Sequence, residues 1–249
     1  MIRTFLVATS LALAVILVLP WLVLWSILRG RPDFMYSLAM RIIRFETRLL
    51  GIRIKVRGLE NIPASSCVFV ANHASNVDPM VMIPAIPRRV SILVKQELFR
   101  IPIFSTAMRV AQFVPVDRGD KESTSSAVST AVENLKKGFS YAIFSEGTRS
   151  PDGRMRTFKR GAFTMAIQAG VPVVPVSLGG THRVLGKGKS IVEPGEVTVG
   201  FGPAVDGSSY TIEQSLDMLS RVEQLVAGGL PPDQQPLLGA NRVSQTSSF

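Results

Sequence analysis

Short apolar runs alternate with helix-forming segments through residues 52–226, and this alternation restricts the fold more than any other feature of the sequence. The runs at 67–71 and 141–144 have the length of buried strands, and several segments between such runs have the apolar spacing of amphipathic helices. Strands that alternate with helices are typical of an α/β fold in which a mostly parallel sheet is flanked by helices. We therefore expect one α/β domain over residues 51–227. The segment 228–249, rich in Pro, Gln, Ser and Gly, is predicted to be a disordered tail.

Two further strands carry information about their place in the sheet. Residues 52–57 alternate apolar and polar side chains, as a strand near a sheet edge does. Residues 171–178 contain Pro172 and Pro175. Because proline cannot donate a ladder hydrogen bond, we expect this second strand to lie at an edge or to be bulged.

Residues 1–50 are predicted to attach the protein to a membrane. The stretch 5–28 carries no charged side chain and, at about 1.5 Å per helical residue, is long enough to cross a hydrocarbon core of about 30 Å. Spanning the bilayer and dipping into one leaflet as a helical hairpin both remain open. Arginines gather behind this stretch, whereas Arg3 stands alone before it, so the positive-inside rule places the following domain on the cytoplasmic side.

Residues 33–49 are predicted to form a helix with two distinct faces. Arg41, Arg44 and Arg48 share one face, and apolar side chains share another. A basic amphipathic helix of this kind lies in an anionic membrane interface. The alternative is a helix whose apolar face packs on the domain while its basic face is solvated.

The formal net charge of +10 indicates an anionic partner, either a nucleic acid or an anionic membrane with its lipids. Aromatic residues make up only 7% of the chain and do not alternate with basic ones, as base stacking would require, so no nucleic-acid partner is expected. Cys67 is the single cysteine, which excludes a disulfide framework and fits a reducing compartment. No metal site is predicted.

The turn after the strand at 67–71 carries the strongest candidate for chemistry. His73 lies where this strand gives way to a helix, which Asp78 and Pro79 are predicted to begin with Asp78 as the N-cap. Ligands bind at such positions in open α/β sheets. Asp78 is a helix cap, the carboxylate that orients His73, or both, and a histidine oriented by a carboxylate is the minimal general base.

Charged side chains also follow three other predicted strands. Lys95 ends one strand, Arg118 follows another, and Glu146 and Arg149 follow a third. If these strands are parallel, the side chains gather at one edge of the sheet. Arginine recognises phosphate through a planar fork of donors, and Lys159 adds charge at a helix start that also favours anions. A single residue of this kind is ordinarily a solvated surface charge, but their convergence beside His73 predicts a site for a phosphorylated substrate.

Four motifs occur in order along the domain. They are His-x-x-x-x-Asp at 73–78, Phe-Val-Pro-Val-Asp-Arg at 113–118, Phe-Ser-Glu-Gly-Thr-Arg-Ser at 144–150 and Val-Pro-Val-Val-Pro-Val at 171–176. Together they resemble the four blocks of the glycerolipid acyltransferases, and most closely the 1-acylglycerol-3-phosphate acyltransferases of bacteria. Ser145 stands where the family usually has proline, and Ala111 where the second block often begins with glycine. Neither departure removes a charged or proton-transferring group.

The resemblance implies a reaction and roles for individual residues. His73 would take the proton from the free sn-2 hydroxyl of a lysophospholipid, 1-acyl-sn-glycerol 3-phosphate, and Asp78 would hold its imidazole. The hydroxyl oxygen would attack an acyl thioester, either acyl-CoA or acyl carrier protein, so phosphatidic acid would form without a cofactor or a Cys or Ser nucleophile. Glu146, itself an anion, would orient Arg149 or a hydroxyl. The acceptor site would comprise Arg118, Glu146, Gly147, Thr148 and Arg149, with Lys95 and Lys159 as weaker candidates.

Two other functions remain open on sequence grounds. A sibling acyltransferase would use glycerol 3-phosphate or a lyso-aminolipid as acceptor. A non-catalytic membrane tether would bind anionic lipid through its basic surface, which explains residues 1–50 but leaves His73 and Asp78 without a role. In each membrane-bound case we expect membrane lipids as partners and the domain on the cytoplasmic side of the membrane.

Overall fold

Seven strands form one sheet with helices on both faces. The computed structural model describes residues 2–30, 32–117 and 119–237. The strands are Ile52–Arg57 (β1), Val68–Ala71 (β2), Val90–Lys95 (β3), Val114–Val116 (β4), Ser140–Phe144 (β5), Val173–Gly179 (β6) and Gly195–Phe201 (β7). Their order across the sheet is β1-β7-β6-β2-β5-β3-β4, and every neighbouring pair is parallel except β6 with β7. The predicted α/β class with a mostly parallel sheet is confirmed.

The helices form an N-terminal group and a group that covers the sheet. The N-terminal group comprises Ile2–Leu13 (α1), Leu19–Arg29 (α2) and Pro32–Leu49 (α3), with a π-helical segment, Ala14–Val18, between α1 and α2. The later helices are Asp78–Ala85 (α4), Pro102–Val110 (α5), Lys121–Lys136 (α6), Gly161–Ala169 (α7), Thr181–Val184 (α8) and Ser215–Gly228 (α9); α5 packs against α2, and the others cover the sheet.

Two apolar cores lie on opposite faces of the sheet because successive side chains of a strand point to opposite sides. In β2, Val68 and Val70 pack in the core shared with α6, α7 and α9, whereas Phe69 and Ala71 pack in the core shared with α4. All four residues of β2 are fully buried, as expected for a central strand covered on both faces. β2, the strand that leads into the turn with His73, is therefore held on both faces.

β1 forms one edge of the sheet, as its alternating pattern predicted. Of the two alternatives for the proline-containing strand, the edge position was wrong, whereas its pairing is irregular at Pro175: the register shifts by one residue between Val176–Phe201 and Val173–Val205, as at a bulge. β6 lies inside the sheet, between β7 and β2, and is buried along its whole length. The carbonyl of Pro175 accepts a hydrogen bond from Gly202 N–H, and the regular β7 ladder begins only at the next residue, Val176. The missing N–H of Pro175 thus falls where the ladder requires no donor.

The predicted apolar stretch 5–28 folds as α1, the π-helical segment and part of α2. Across the described part of the chain, none of the helices combines the length and the apolar character needed to cross a membrane. α3 packs on the domain through Tyr36 and Met40, which border the core that contains α4. Three large apolar residues of α3 remain exposed, Phe34 at 47%, Phe45 at 58% and Leu49 at 46%.

The C-terminal segment, residues 229–237, belongs to the folded domain, although its composition placed it in the predicted tail. Gln234 is fully buried: its Oε1 accepts a hydrogen bond from Gly180 N–H at 2.7 Å. Its backbone carbonyl accepts another from Met155 N–H at 2.8 Å. The buried glutamine thus joins this segment to the chain after β6 and to the loop that contains Met155. The rest of the predicted tail, 238–249, lies outside the described residues.

Candidate functional site

The polar clusters predicted at the strand ends gather on one edge of the sheet, because β2, β5, β3 and β4 run in the same direction. A cavity of about 660 Å³ opens there. Of the predicted site residues, six line it: His73, Lys95, Gly147, Thr148, Arg149 and Lys159. Asp78 and Glu146 lie behind the cavity wall and are almost completely buried, and Arg118 lies outside the described residues.

His73 and Asp78 contact each other directly across the turn. His73 Nδ1 lies 2.7 Å from Asp78 Oδ2, and the Asp78 side chain is fully buried while that of His73 is 19% exposed. Because a carboxylate only accepts hydrogen bonds, this contact places the proton of a neutral His73 on Nδ1 and leaves Nε2 as an acceptor. The arrangement is that of a general base with an orienting carboxylate.

The choice between cap and orienting carboxylate is resolved by the hydrogen bonds of Asp78. α4 begins at Asp78 after Val77, so the aspartate is the first helical residue and caps no amide within the helix. Its Oδ2 instead accepts from the backbone N–H groups of Ala74 and Ser75, each at 2.8 Å. The predicted N-cap role was therefore wrong, and the carboxylate closes the loop that carries His73.

The imidazole of His73 is fixed on its second side by an aromatic ring. The ring stacks on Phe144, at the end of β5, with centroids 4.4 Å apart and an interplanar angle of 25°. His73 lines the cavity, and no hydrogen bond to its Nε2 is found among the described residues, so this nitrogen is available as an acceptor there. A half-turn of the ring would break the contact between Nδ1 and Asp78.

Glu146 does not take the position that was predicted for it. It is 4% exposed, does not line the cavity, and accepts a hydrogen bond at Oε1 from the backbone N–H of His73 at 2.9 Å. Burial raises the pKa of Glu146 from 4.5 to about 8, and the nearby charge of Asp78 adds to the rise. The backbone amides of His73 and Arg156 and the charge of Arg156 oppose it.

The cationic rim of the cavity comes from separate segments of the chain. Gly147 has a φ of +74°, and a Cβ added there would lie 2.7 Å from the Lys159 side chain, so this lysine passes directly over the glycine backbone. Lys159 is placed by its own N–H, which donates to the Ser145 carbonyl at 2.7 Å. Arg160, its neighbour, turns away and donates to Ser215 and Ile212 instead.

Apolar side chains form the inner walls of the same cavity. They come from α4, β3, β5, α6 and α7, and include Ile83, Ile92, Ile143, Val128 and Met165. A base, a cationic rim and apolar walls within one cavity suit an amphiphile with an anionic head group.

Two residues that support His73 were missed by the sequence analysis. Asn72 is buried, and its side chain forms two hydrogen bonds with the backbone of Leu178, at 3.1 and 2.8 Å, which join the end of β2 to β6. Ser150 N–H donates to the His73 carbonyl at 2.8 Å. Asn72 could have been found from its position, since it is a polar residue directly between a buried strand and the histidine.

Comparisons with known proteins agree with this geometry. The chain matches the model of the Acyltransferase family over residues 53–179. It is 30% identical over 195 residues to the 1-acyl-sn-glycerol-3-phosphate acyltransferase of Limnanthes douglasii, covering 78% of this chain and 69% of that protein. It is 39% identical over 156 residues to a chloroplastic 1-acyl-sn-glycerol-3-phosphate acyltransferase of Brassica napus, covering 61% of this chain but only 45% of that protein.

The crystal structure of the 1-acyl-sn-glycerophosphate (LPA) acyltransferase from Thermotoga maritima has the same fold. The TM-score is 0.80 at 28% sequence identity, and the match covers 92% of this chain and 93% of that one. The fold, the four motifs and the family match all lie on the same domain, and the chain therefore belongs to the acyltransferase family.

Proposed function

We propose that the protein transfers an acyl group from an acyl thioester to the free sn-2 hydroxyl of 1-acyl-sn-glycerol 3-phosphate, which gives phosphatidic acid. The observation that carries the proposal is the contact of His73 with the buried Asp78 beside a cavity with a cationic rim. The names of the relatives from Limnanthes douglasii and Brassica napus support this acceptor.

The reaction follows from the free Nε2 of His73. Nε2 takes the proton of the sn-2 hydroxyl while the oxygen attacks the thioester carbonyl, and a tetrahedral intermediate forms. When this intermediate collapses, the carbon–sulfur bond breaks and the thiolate takes the proton back from the imidazolium. Asp78 stabilises the imidazolium between the two steps through its contact with Nδ1. The oxygen attacks directly, so the enzyme needs no nucleophile of its own.

The acceptor's phosphate would bind the cationic rim, and its chain would lie against the apolar walls. Arg149, Lys95 and Lys159 line the cavity and offer charged donors, while Thr148 adds a hydroxyl at the same rim. Arg118 is included in this acceptor site because of its motif alone. The acyl donor is either acyl-CoA or acyl carrier protein, and both present the same thioester to His73.

The membrane attachment of the protein is part of the proposal. Large apolar side chains of the N-terminal helices and the π-helical segment between them are exposed, among them Phe5 at 72%, Ile16 at 65%, Trp21 at 71% and Leu28 at 74%. Exposed apolar surface of this extent beside the basic helix α3 favours an amphipathic structure buried in one leaflet of an anionic membrane. The positive-inside rule gives the cytoplasmic side for the domain.

A purified His73→Ala variant tests the reaction. Removal of the base is expected to lower kcat by about 10²- to 10⁴-fold. The matched control is Asn76→Ala, an exposed side chain of the same turn, which should keep full activity. Acyl transfer at the parent rate by folded His73→Ala protein would rule out the mechanism.

The choice of substrates is tested in the same assay. Lysophosphatidate, glycerol 3-phosphate and a lyso-aminolipid are offered in parallel, each with acyl-CoA and with acyl carrier protein. We expect lysophosphatidate to give the highest kcat/KM. A preference for either other acceptor would assign the enzyme to a sibling reaction, and no turnover with any pair, with vesicle binding intact, would favour the tether.

A further inference from the structure

The carboxyl group of Glu146 faces the backbone of the catalytic loop, not the substrate cavity. Its Oε1 accepts the His73 N–H at 2.9 Å, and the residue is 4% exposed. Its Oε2 is buried and forms no hydrogen bond of normal geometry among residues 2–30, 32–117 and 119–237, although the backbone N–H of Arg156 acts on the carboxyl and lowers its pKa. A buried carboxylate oxygen without a well-placed donor is costly to keep charged, so this environment favours the neutral acid.

The charges around Glu146 point the same way. The charged groups that act on the Glu146 carboxyl are Asp78 and Arg156, while His73 contacts it through its backbone N–H. The ion pairs found among the described residues do not include Glu146, and Arg156 is exposed to solvent, where its charge is screened. Asp78, by contrast, is fully buried and repels a second negative charge.

We propose that Glu146, as an uncharged carboxylic acid, is a positioning residue that holds the backbone of His73. In this role it does not bind the substrate phosphate. The inference deepens the proposed function, on whose reaction its kinetic test rests. It assigns the two carboxyl groups around His73 different states. Asp78 is the charged partner of the imidazole, and Glu146 is a neutral acceptor for the main chain.

The different states have a chemical reason. A second negative charge in this buried pocket would repel the carboxylate of Asp78, which orients the imidazole of His73. A neutral acid fixes the loop through its carbonyl oxygen without this effect. With a pKa raised to about 8, Glu146 remains protonated at neutral pH and ionises above that value.

Kinetics of Glu146→Ala and Glu146→Gln test the role. Ala removes the acceptor of the His73 N–H and should lower kcat about 10- to 100-fold, with KM for lysophosphatidate changed less than about twofold. Gln carries a carbonyl oxygen of the same reach and should restore most of kcat. Parent activity should fall above about pH 8, whereas Glu146→Gln should lack that alkaline limb. Glu133→Gln, an exposed glutamate on α6, is the matched control.

A second measurement needs no substrate. Between pH 4.5 and about 8 the folded parent binds a proton at Glu146 that the unfolded chain has released, so stability falls as the pH rises through this range. The midpoint of thermal unfolding in detergent should therefore drop more steeply with pH in the parent and Glu133→Gln than in Glu146→Gln. This readout stands even if none of the tested acceptors is turned over.

Three outcomes would overturn the inference. If Glu146→Gln were as inactive as Glu146→Ala, the negative charge of Glu146 would be required. A large rise in KM for lysophosphatidate at unchanged kcat would make Glu146 a substrate ligand. Parallel unfolding curves against pH for the parent and Glu146→Gln would show that Glu146 is ionised throughout.

Discussion

Gly147 shows how one residue without a side chain can set the position of a cation. Its φ of +74° is a conformation that other residues adopt at a cost of about 1–2 kcal/mol, and a Cβ there would also meet the Lys159 side chain at 2.7 Å. Gly147→Ala should therefore both destabilise the protein and displace Lys159 from the cavity rim. We expect KM for lysophosphatidate to rise about fivefold or more, as the loss of one charge-assisted contact predicts.

Gly138 supplies the control for this substitution. It has a φ of +95° and no atom within 4 Å of an added Cβ. Gly138→Ala should thus carry the backbone cost alone and leave KM unchanged. Equal KM values for the two variants would show that Lys159 does not contribute to acceptor binding.

The contacts of His73 show which part of the site could be predicted from the sequence. His73 and Asp78 were found because they are only five positions apart in the sequence and the strand-to-helix turn brings them together. The contact of Glu146 with His73 joins residues 73 positions apart, and it depends on the register of β2 against β5. The motif gave Glu146 a place near the site, but burial decided that it faces the main chain, and burial is a property of the packed domain.

At the scale of elements, the C-terminal segment secures the loop beside the active site. The side chain of Gln234 accepts a hydrogen bond from the N–H of Gly180, directly after β6. Its backbone carbonyl accepts another from Met155, in the loop after the third motif. Gln234→Ala leaves the buried Gly180 N–H without its acceptor, so the free energy of unfolding should fall by about 1–3 kcal/mol. Chemical denaturation of the purified variant measures this loss.

Gln224→Ala provides the comparison. Gln224 is an exposed residue of α9, and its truncation should change the free energy of unfolding by less than about 0.5 kcal/mol. A loss for Gln234→Ala no larger than this would mean that the C-terminal segment is not held by its buried glutamine.

The errors at this scale share a cause. Composition placed residues 229–237 in a tail, and the prolines left β6 either at an edge or bulged, because both arguments considered the segment without its neighbours. Gln234 and Pro175 are accommodated by partners on β6, β7 and the loop after the third motif. The class of the fold, by contrast, follows from apolar periodicity within each element, which is why it was predicted correctly.

At the scale of the whole molecule, the two faces of the sheet carry different helices and should meet different surroundings. α3 shares its face with the N-terminal helices and presents the exposed Arg41 and Arg48 beside Phe45 and Leu49. α6 and α9 cover the opposite face. If the protein sits on an anionic membrane through α3, charges on this face should govern binding and charges on the other should not.

Charge reversal on each face tests this directly. Two arginines near an anionic surface contribute about 1 kcal/mol each, so Arg41→Glu with Arg48→Glu should weaken binding to vesicles containing phosphatidylglycerol by at least about 25-fold at low salt. The control reverses Lys137 and Arg221, exposed residues of the opposite face, and should bind as the parent does. Co-flotation with anionic and with neutral vesicles measures both variants, and the difference should shrink at high salt because added ions screen the attraction. Equal binding of the two variants to anionic vesicles would contradict attachment through α3. The exposed apolar side chains of α1 and α2 would then be the next candidates for membrane contact.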